Sequence, residues 1–197
     1  MDLDISVLRD AIQDEYKVVP SDPQQGFHFH TGLKFAKILE YPQEWIDMVP
    51  ESSLESFAGT GNPFRMEKLN RGEKVVDMGC SAGFDSFVAS GMVGQDGHVI
   101  GVDMTPEMLE KAQRSAQSSG VENVEFRLGY AEELPVPDEW ANVVISNGVL
   151  NLTPNNSATL KQLNRVLKPG GCLKFADIMM EKPVPLDAKE NIDLWTG

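Results

Sequence analysis

Two short apolar runs each end in an acidic side chain. The two acids are spaced so that they could lie in one binding site for a nucleoside. Asp77 ends the run Lys74–Asp77 and precedes a glycine-rich turn, while Asp103 ends the run His98–Asp103. The separation of 26 positions is about the length of one strand–helix–strand unit. A carboxylate at the end of the second strand could accept hydrogen bonds from both hydroxyls of a ribose. The pattern predicts a nucleoside site, with a tight turn that binds nothing as the alternative.

The turn after the first run favours a ligand that carries a carboxylate and an amine. It has the form D-x-G-x-x-x-G, with Ser81 where a dinucleotide fingerprint has its middle glycine. Gly79 and Gly83 would let the backbone approach a ligand closely, and the first amides of the following helix would point into the same gap. A diphosphate is therefore disfavoured as the ligand.

The same turn, G-C-S-A-G at 79–83, also matches the nucleophile turn of a hydrolase, with Ser81 as the nucleophile. Such an enzyme needs an acid and then a histidine far downstream of the serine. The only downstream histidine is His98, at the start of the next strand. The hydrolase interpretation is accordingly disfavoured.

Strands and helices alternate from residue 74 onward, which predicts an α/β fold with a mostly parallel sheet and right-handed crossovers. The predicted strands are Lys74–Asp77, His98–Asp103, Val124–Leu128, Ala141–Ser146 and Gly171–Ile178. Helices are predicted at 83–93, 105–118 and 155–167, and a final helix begins near Asp187. Thr105 is expected to cap the helix that it begins.

Residues 1–52 are predicted to form a helical N-terminal extension. Apolar residues at helical spacing indicate an amphipathic helix over Asp2–Val18, and shorter helices follow at 33–39 and 42–48. Between them, His28 and His30 share one face of an extended segment. They could be a metal or acid–base pair, but no third ligand lies nearby, so two partly exposed histidines are favoured and no metal is predicted.

Composition limits the partners of the chain. The formal net charge of −13 and the pI of about 4.6 give no general attraction to phosphate backbones, so nucleic acid is not expected as a partner. No apolar run reaches the roughly 18 residues of a membrane span, and the acidic N-terminus is unlike a signal peptide. Cys80 and Cys172 do not make a disulfide framework, which favours a cytoplasmic location.

Four stretches of the sequence resemble the successive motifs of class I S-adenosylmethionine-dependent methyltransferases. They are VVDMGCSAGFD, GHVIGVDMTPEMLEKA, NVEFRLGYAEELPVPD and LNRVLKPGG. Within that superfamily the chain is most similar to the arsenite methyltransferase type, through GVDMTPEMLEKA, VEFRLGYAEELP and ISNGVLNLTP. The methyltransferases of ubiquinone and menaquinone biosynthesis are the next most similar type. The resemblance runs from about Ser53 to the C-terminus and implies a Rossmann-like fold with S-adenosyl-L-methionine as the cofactor.

The resemblance also implies roles for individual residues. The expected cofactor-binding residues, from the methionine end to the adenine and then the methyl group, are Asp77, Gly79, Ser81, Gly83, Asp103, Met104, Tyr130, Ala131, Glu132 and Asn147. Asn147 and Gly148 would lie beside the reacting centre. The segment before the first strand covers the cofactor in related enzymes, so the expected lid residues are Phe57, Thr60, Asn62 and Pro63, with an ordinary linker as the alternative.

Cysteine usage departs from the arsenite type. The family's cysteine after the fourth strand aligns with Gly148, the one in the cover segment aligns with Thr60, and a third would lie beyond Gly197. Arsenite is a thiophilic acceptor that such enzymes hold with thiolates. A small-molecule acceptor other than thiolate-held arsenite is therefore expected, with Asn147, Gly148 and Thr60 on the acceptor side.

Domain organisation follows from the same resemblance. Residues 53–197 form the expected methyltransferase core, which lacks the last two strands of the full sheet. We expect either a C-terminally truncated chain or a sheet edge covered by the N-terminal segment or by a second copy, which would make a homo-oligomer. The alternative function is a module that binds the cofactor and is inactive as this chain.

Overall fold

Five parallel strands form one sheet in the part of the chain that the computed structural model describes, residues 5–17, 31–179 and 181. The strands are β1 (Lys74–Met78), β2 (His98–Asp103), β3 (Val124–Leu128), β4 (Ala141–Asn147) and β5 (Leu167–Ala176). The helices are α1 (Ile5–Tyr16), α2 (Gly32–Ile38), α3 (Gln43–Ile46), α4 (Glu51–Leu54), α5 (Phe84–Val93), α6 (Pro106–Ser119) and α7 (Asn156–Val166), with a 3-10 turn at Leu150–Leu152.

The strand order is β3-β2-β1-β4-β5, and every neighbouring pair is parallel. The chain steps outward from β1 through β2 to β3, and then crosses to the other side of β1 to add β4 and β5. In open parallel sheets, ligands bind outside the carboxyl ends of the strands where the order reverses. Here that place lies between β1 and β4, which pair from Val75 and Val143 to Met78 and Ser146. The predicted α/β, Rossmann-like fold is confirmed.

Alternate residues of the central strands enter two separate hydrophobic clusters, one on each face of the sheet. Val75 of β1 packs in the cluster that contains α5 and α6, whereas Val76 packs in the cluster that contains Leu163 of α7. Helix α5 is buried over most of its length, including its polar Asp85 and Ser86. A helix that is buried all round lies between two layers, and the second layer over α5 comes from the chain before β1.

That second layer consists of α2, α3, α4 and the loops that join them. Tyr41 lies edge-on to Phe84 with ring centroids 5.0 Å apart, and Phe57 stacks on Phe84 at 4.0 Å. Trp45 and Phe64 join the same cluster. The residues before β1 therefore share a core with the sheet, and the division expected between residues 52 and 53 falls inside α4. The division of the chain into two domains at that point stays a prediction.

Most predicted elements are present, with differences at their ends. Strand β5 begins at Leu167, four residues before the predicted start, because Leu167 pairs with Ala141 and a bulge then absorbs the Pro169–Gly171 segment before Cys172 pairs with Val143. Helix α4 and the 3-10 turn are not predicted by the sequence. Thr105 occupies the predicted cap position, but its side chain makes no capping hydrogen bond.

Two predictions fall outside the described residues, namely the histidines at 28 and 30 and the final helix near Asp187.

Helix α1 lies over the carboxyl edge of the sheet, where Gln13 Nε2 donates to the carbonyl of Met104 at 2.6 Å. Across residues 5–17, 31–179 and 181, no helix has the length and apolar character needed to cross a membrane.

Candidate functional site

A cleft opens at the carboxyl edge of the sheet and holds about 860 Å³ of empty space, including the part open to solvent. It lies outside the ends of β1, β2 and β4, beneath α1. Eight of the ten predicted cofactor-binding residues line it. These are Gly79, Ser81, Asp103, Met104, Tyr130, Ala131, Glu132 and Asn147. The other two, Asp77 and Gly83, do not.

The turn after β1 forms the floor of the cleft. Gly79 has a φ of 74°, and a Cβ there would overlap the side chain of Val149. Gly79 and Cys80 both donate backbone hydrogen bonds to the carbonyl of Val102, at 2.8 and 3.0 Å, which ties the turn to β2. Ser81 also takes a positive φ of 51°, an unfavourable conformation for a residue with a side chain. The missing side chain of Gly79 and the positive φ of Ser81 thus keep the turn open toward the cleft.

Gly83 has a different use. Its φ of 89° starts α5, and a Cβ there would lie 2.9 Å from the ring of Phe126. The missing side chain makes room for aromatic packing, and Gly83 lines neither the cleft nor the cavity beside it.

Asp103 is held at the end of β2 by two backbone amides. Ser81 N donates to its Oδ2 and Thr105 N donates to its Oδ1, both at 2.8 Å. Burial raises the pKa of Asp103, and the two amide donors oppose that rise by favouring the charged form. Its carboxylate therefore faces the cleft in a fixed orientation.

The loop after β3 brings Tyr130 and Glu132 to the same cleft, where α1 meets them. Arg9 Nη2 forms an ion pair with Glu132 Oε2 at 3.1 Å, and its guanidinium lies 3.9 Å from the centroid of the Tyr130 ring. Glu132 Oε1 is buried and has no hydrogen-bond partner among the residues described. A buried acceptor without a donor is costly, and a ligand with an amino group could satisfy it.

Residues of α1 were missed by the sequence analysis. Arg9, Ile12 and Tyr16 line the cleft, and burial together with the charge of Asp103 raises the pKa of Tyr16 to about 12. The spacing of apolar residues in α1 predicted that one face of the helix is buried. It could not predict that this face packs over the cleft.

Asn147 connects β4 to the cover segment, residues 57–63. Its Oδ1 accepts from the amides of Thr60 and Gly61 at 2.8 and 3.0 Å. Its Nδ2 donates to the carbonyl of Gly61 and to Asp85 Oδ2, both at 2.9 Å. The side chain thus holds the segment against the end of β4.

The expected lid residues have separate roles within that segment. Thr60 lies against Gly148, since a Cβ at Gly148 would be 2.7 Å from Thr60 Cγ2. Phe57 is buried in the core, and Asn62 Oδ1 accepts from the amide of Phe64 at 3.0 Å. The member of the segment that lines the cleft is Ala58.

Ser81 has no histidine beside it within the described chain. Its hydroxyl lies 3.3 Å from Met108 Sδ, whereas His98 is the first residue of β2, at the opposite end of that strand. His98 there packs edge-on against Trp140. The geometry gives Ser81 no general base, which argues against a hydrolase. The described residues also contain no group of acids, histidines and cysteines that could hold a metal ion.

Comparisons with known proteins agree with this geometry. The family described as "Methyltransferase domain" matches residues 69–196. An arsenite methyltransferase of Halobacterium salinarum is 49% identical over 139 residues, which cover 71% of this chain and 36% of that protein. A demethylmenaquinone methyltransferase of Listeria welshimeri is 32% identical over 113 residues, which cover 57% of this chain and 48% of that protein. The chain thus spans less than half the length of these curated relatives.

Two solved structures extend the likeness to three dimensions. An arsenic (III) S-adenosylmethionine methyltransferase from Chlamydomonas reinhardtii superposes with a TM-score of 0.65 at 32% identity, covering 83% of this chain and 55% of that one. A SAM-dependent methyltransferase from Aquifex aeolicus gives a TM-score of 0.54 at 26% identity, covering 78% of each chain. The resemblance to S-adenosylmethionine-dependent methyltransferases, and with it the expected cofactor, is confirmed at the level of the family. With its parallel sheet, its cleft at the strand reversal and a family match over most of its length, this chain belongs to the methyltransferase domain family.

Proposed function

We propose that the chain binds S-adenosylmethionine in the cleft and promotes transfer of its methyl group to a small-molecule acceptor that thiolates do not hold. The observation that carries this proposal is the convergence on one cleft of the Asp103 carboxylate, the Gly79–Ser81 turn and the unpartnered Oε1 of Glu132. A nucleoside presents an exocyclic amine, which could donate to the unpartnered Oε1 of Glu132, and ribose hydroxyls, which could donate to the lone pairs that remain on the Asp103 carboxylate.

The cofactor-side residues have separate tasks. Asp103 would accept from the ribose hydroxyls, and Glu132 would accept from the adenine amine beside the backbone of Tyr130 and Ala131. When bound, the cofactor supplies the electrophilic methyl group on its sulfonium. The protein contributes orientation and exclusion of water, through α1 above the cleft and through the cover segment that Asn147 holds.

The acceptor side supports a molecule that is not bound through sulfur. Soft metalloid acceptors prefer thiolate ligands, but the positions that match the family's cysteines hold Thr60 and Gly148, which carry no sulfur. Cys80 is buried, its pKa is raised by burial, and Cys172 is exposed on β5. Neither thiol lines the cleft.

Calorimetric titration with S-adenosylmethionine and S-adenosylhomocysteine tests the cofactor assignment. The wild-type chain should bind with a dissociation constant on the order of micromolar, and Asp103→Asn should weaken binding by roughly tenfold or more. Asp96→Ala, at an exposed acid of the turn before β2, is the control and should bind as the wild type does. Circular dichroism establishes that each variant is folded. A wild-type chain that binds neither ligand would overturn the proposal.

A methyl-acceptor screen tests the other half of the proposal. Formation of S-adenosylhomocysteine is measured with small organic acceptors and, separately, with arsenite plus a thiol. Turnover with arsenite would contradict the assignment of the acceptor side. Cofactor binding without turnover on any acceptor would support the alternative of an inactive binding module.

We also propose a cytoplasmic location and a homo-oligomer that pairs through the β5 edge. The location is supported by two cysteines that are both unpaired. The assembly is supported by the position of β5 at the edge of the described sheet, where Phe175 is 50% exposed. Cell fractionation checks the first, and light scattering of wild type beside Phe175→Lys checks the second, with a monomeric wild type as the contrary result.

A further inference from the structure

The hydroxyl of Tyr41 lies in a buried polar network that joins the layer before β1 to the end of β4. It donates to Asp85 Oδ1 at 2.7 Å and lies 3.2 Å from Asn147 Nδ2. Asn147 Nδ2 donates in turn to Asp85 Oδ2 and to the carbonyl of Gly61, both at 2.9 Å. Asn147 therefore connects the carboxyl group of Asp85 directly to the cover segment.

The cover segment fits closely against the ends of two strands. A Cβ at Gly59 would lie 2.4 Å from Asn147 Nδ2, and a Cβ at Gly61 would lie 2.6 Å from the Cβ of Ala176. Thr60 Oγ1 donates to the carbonyl of Ala176 at 3.2 Å. The segment is thus held between the ends of β4 and β5, and any weakening of the contacts of Asn147 acts on it directly.

Behind the cover segment lies a second cavity, with about 340 Å³ of empty space including the part open to solvent. Three residues of the segment, Phe57, Ala58 and Gly59, line it together with the acids Asp77 and Asp85. Ala58 also lines the cleft. Movement of the segment away from β4 would therefore widen the cleft and admit water to both acids.

The two acids are buried without a counter-ion. Asp77 and Asp85 are 2% and 7% exposed, and none of the ion pairs among the described residues includes either of them. Removing a carboxylate from water is unfavourable unless its charge is compensated. Ionisation of Asp85 therefore favours the arrangement of the chain in which water reaches it.

Two hydroxyl groups of the same cavity would gain from water as well. Ser53 and Ser56 are fully buried and line the cavity, and their Oγ atoms have no hydrogen-bond partner in the part of the chain that the structure describes. A buried hydroxyl without a partner lowers stability. Hydration of the two serines would offset part of the free energy needed to open the segment.

We propose that the cover segment is a pH-dependent latch on the cleft, closed while Asp85 is protonated and loosened once Asp85 is charged. The inference goes beyond the proposed function, because it holds whatever ligand the cleft binds. Tyr41 is the positioning residue of this latch. Its ring packs edge-on against Phe57 and Phe84, with ring centroids 5.4 and 5.0 Å apart. The hydroxyl is thereby directed at Asp85, where its hydrogen bond stabilises the charged form.

The charges around Asp85 set the pH range. Burial raises the pKa of Asp85 to about 6, and hydrogen bonds from Asn147 and Tyr41 oppose that rise. Asp77 also faces the cavity, and burial and the charge of Asp85 raise its pKa, with a smaller contribution from Asp103. Burial raises the pKa of Tyr41 well above 10, so the phenol keeps its proton. Since the open form returns Asp85 toward its ordinary pKa of 3.8, opening should increase from about pH 4 and level off above pH 6.

Hydrogen–deuterium exchange of the whole unliganded chain measures the latch. Peptides that span residues 57–63 are followed by mass spectrometry from pH 5 to pH 8, and each rate is divided by the intrinsic rate at the same pH. The open fraction should be roughly tenfold higher at pH 7 than at pH 5, and nearly constant from pH 7 to pH 8. Asp85→Asn should remove this dependence. Tyr41→Phe removes a donor to the charge, so opening should continue to increase between pH 7 and pH 8.

Two further variants and one internal reference complete the design. Asp96→Asn, at an exposed acid of the turn before β2, is the matched control and should behave as the wild type does. Asp77→Asn should keep the increase between pH 5 and pH 7, because Asp85 is the group that titrates there. Peptides of α6 report unfolding of the whole chain and should be better protected than the cover segment at every pH.

Three results would overturn the inference. The first is corrected exchange of the cover segment that is independent of pH or that slows as the pH rises. The second is equal protection of the segment and α6, because the segment would then open only when the whole chain unfolds. The third is loss of the dependence in Asp77→Asn, which would assign the titration to the other buried acid.

Discussion

Asn147 has one amide group, and both ends of it hold other parts of the chain. The carbonyl oxygen accepts from two backbone amides of the cover segment, and the nitrogen donates to Gly61 and Asp85. A Cβ at Gly59 would overlap this side chain, so the segment passes as close as glycine allows. Asn147 therefore fixes the backbone of residues 59–61 at the end of β4.

Asp85 should make stability depend on pH in a direction that is unusual for an acid. Its folded pKa of about 6 exceeds the ordinary value of 3.8, because burial disfavours the charge. The folded state then binds more protons than the unfolded state between these values, so this group favours folding below about pH 4. The contribution declines as pH rises through about 6, and amounts to at most roughly 3 kcal/mol.

Asp85→Asn removes that titration. Urea unfolding at intervals from pH 4 to pH 7 should show that the wild type loses stability relative to Asp85→Asn as the pH rises, with the change centred between 4 and 6. Acids that do not interact with Asp85 cancel in the difference between the two proteins, whereas Asp77 contributes to it, because the charge of Asp85 raises the pKa of Asp77. A difference that is constant over this range, or that changes in the opposite direction, would contradict the assignment.

Single residues differ in how far sequence could place them. Gly79, Ser81 and Asp103 were predicted because each lies at or just after the carboxyl end of a strand, and parallel strands end at one edge of a sheet. Glu132 was predicted from the resemblance to the family. Ser53 and Tyr41 were not, because their positions depend on how α2 to α4 pack over α5. That packing rests on aromatic contacts between residues far apart in the chain, such as Tyr41 with Phe84.

At the scale of elements, the turn between β1 and α5 depends on glycine for two separate reasons. Gly79 needs a positive φ, and it also needs space, because a Cβ would overlap Val149. Gly72, just before β1, has a similar φ of 79° with nothing within 4 Å of a Cβ. Comparing substitutions at Gly72 and Gly79 therefore separates the cost of backbone strain from the cost of steric overlap.

Gly72→Ala should destabilise the protein by about 1 kcal/mol through backbone strain alone. Gly79→Ala should lose that amount and roughly 1 to 3 kcal/mol more, because Val149 must move. The measurement is the free energy of unfolding in urea. Equal losses in the two variants would mean that Val149 yields without cost and that the turn is less closely packed than described.

The strands β1 to β4 were predicted almost to the residue, since apolar runs bounded by turns mark buried strands. Strand β5 was placed too late because Pro169 and two glycines suggested a break, whereas the chain keeps pairing across a bulge. Helix α4 has four residues. A segment so short carries too little periodicity to be recognised, and tertiary packing decides its conformation.

For the molecule as a whole, the shared core predicts one cooperative unit. Phe64 lies before the first strand and is 1% exposed, within the cluster that includes Phe84 and Phe87 of α5. Phe64→Ala should cost about 3 to 5 kcal/mol and should keep a single unfolding transition. The transition is followed by tryptophan fluorescence and far-ultraviolet circular dichroism. Transitions that differ between the two probes would instead support two units that meet near residue 52.

Because Thr60 packs closely on Gly148, substitutions at these two positions are tolerated better in one order than in the other. Gly148 combines a φ of 74° with a Cβ position 2.7 Å from the methyl group of Thr60. A cysteine at 148 in the present chain would meet both obstacles, whereas a prior change of Thr60 to serine or alanine removes one of them. A thiol pair can therefore be acquired here by a path that changes residue 60 first. We therefore expect substitutions at the two positions to depend on one another, with residue 60 changing before residue 148.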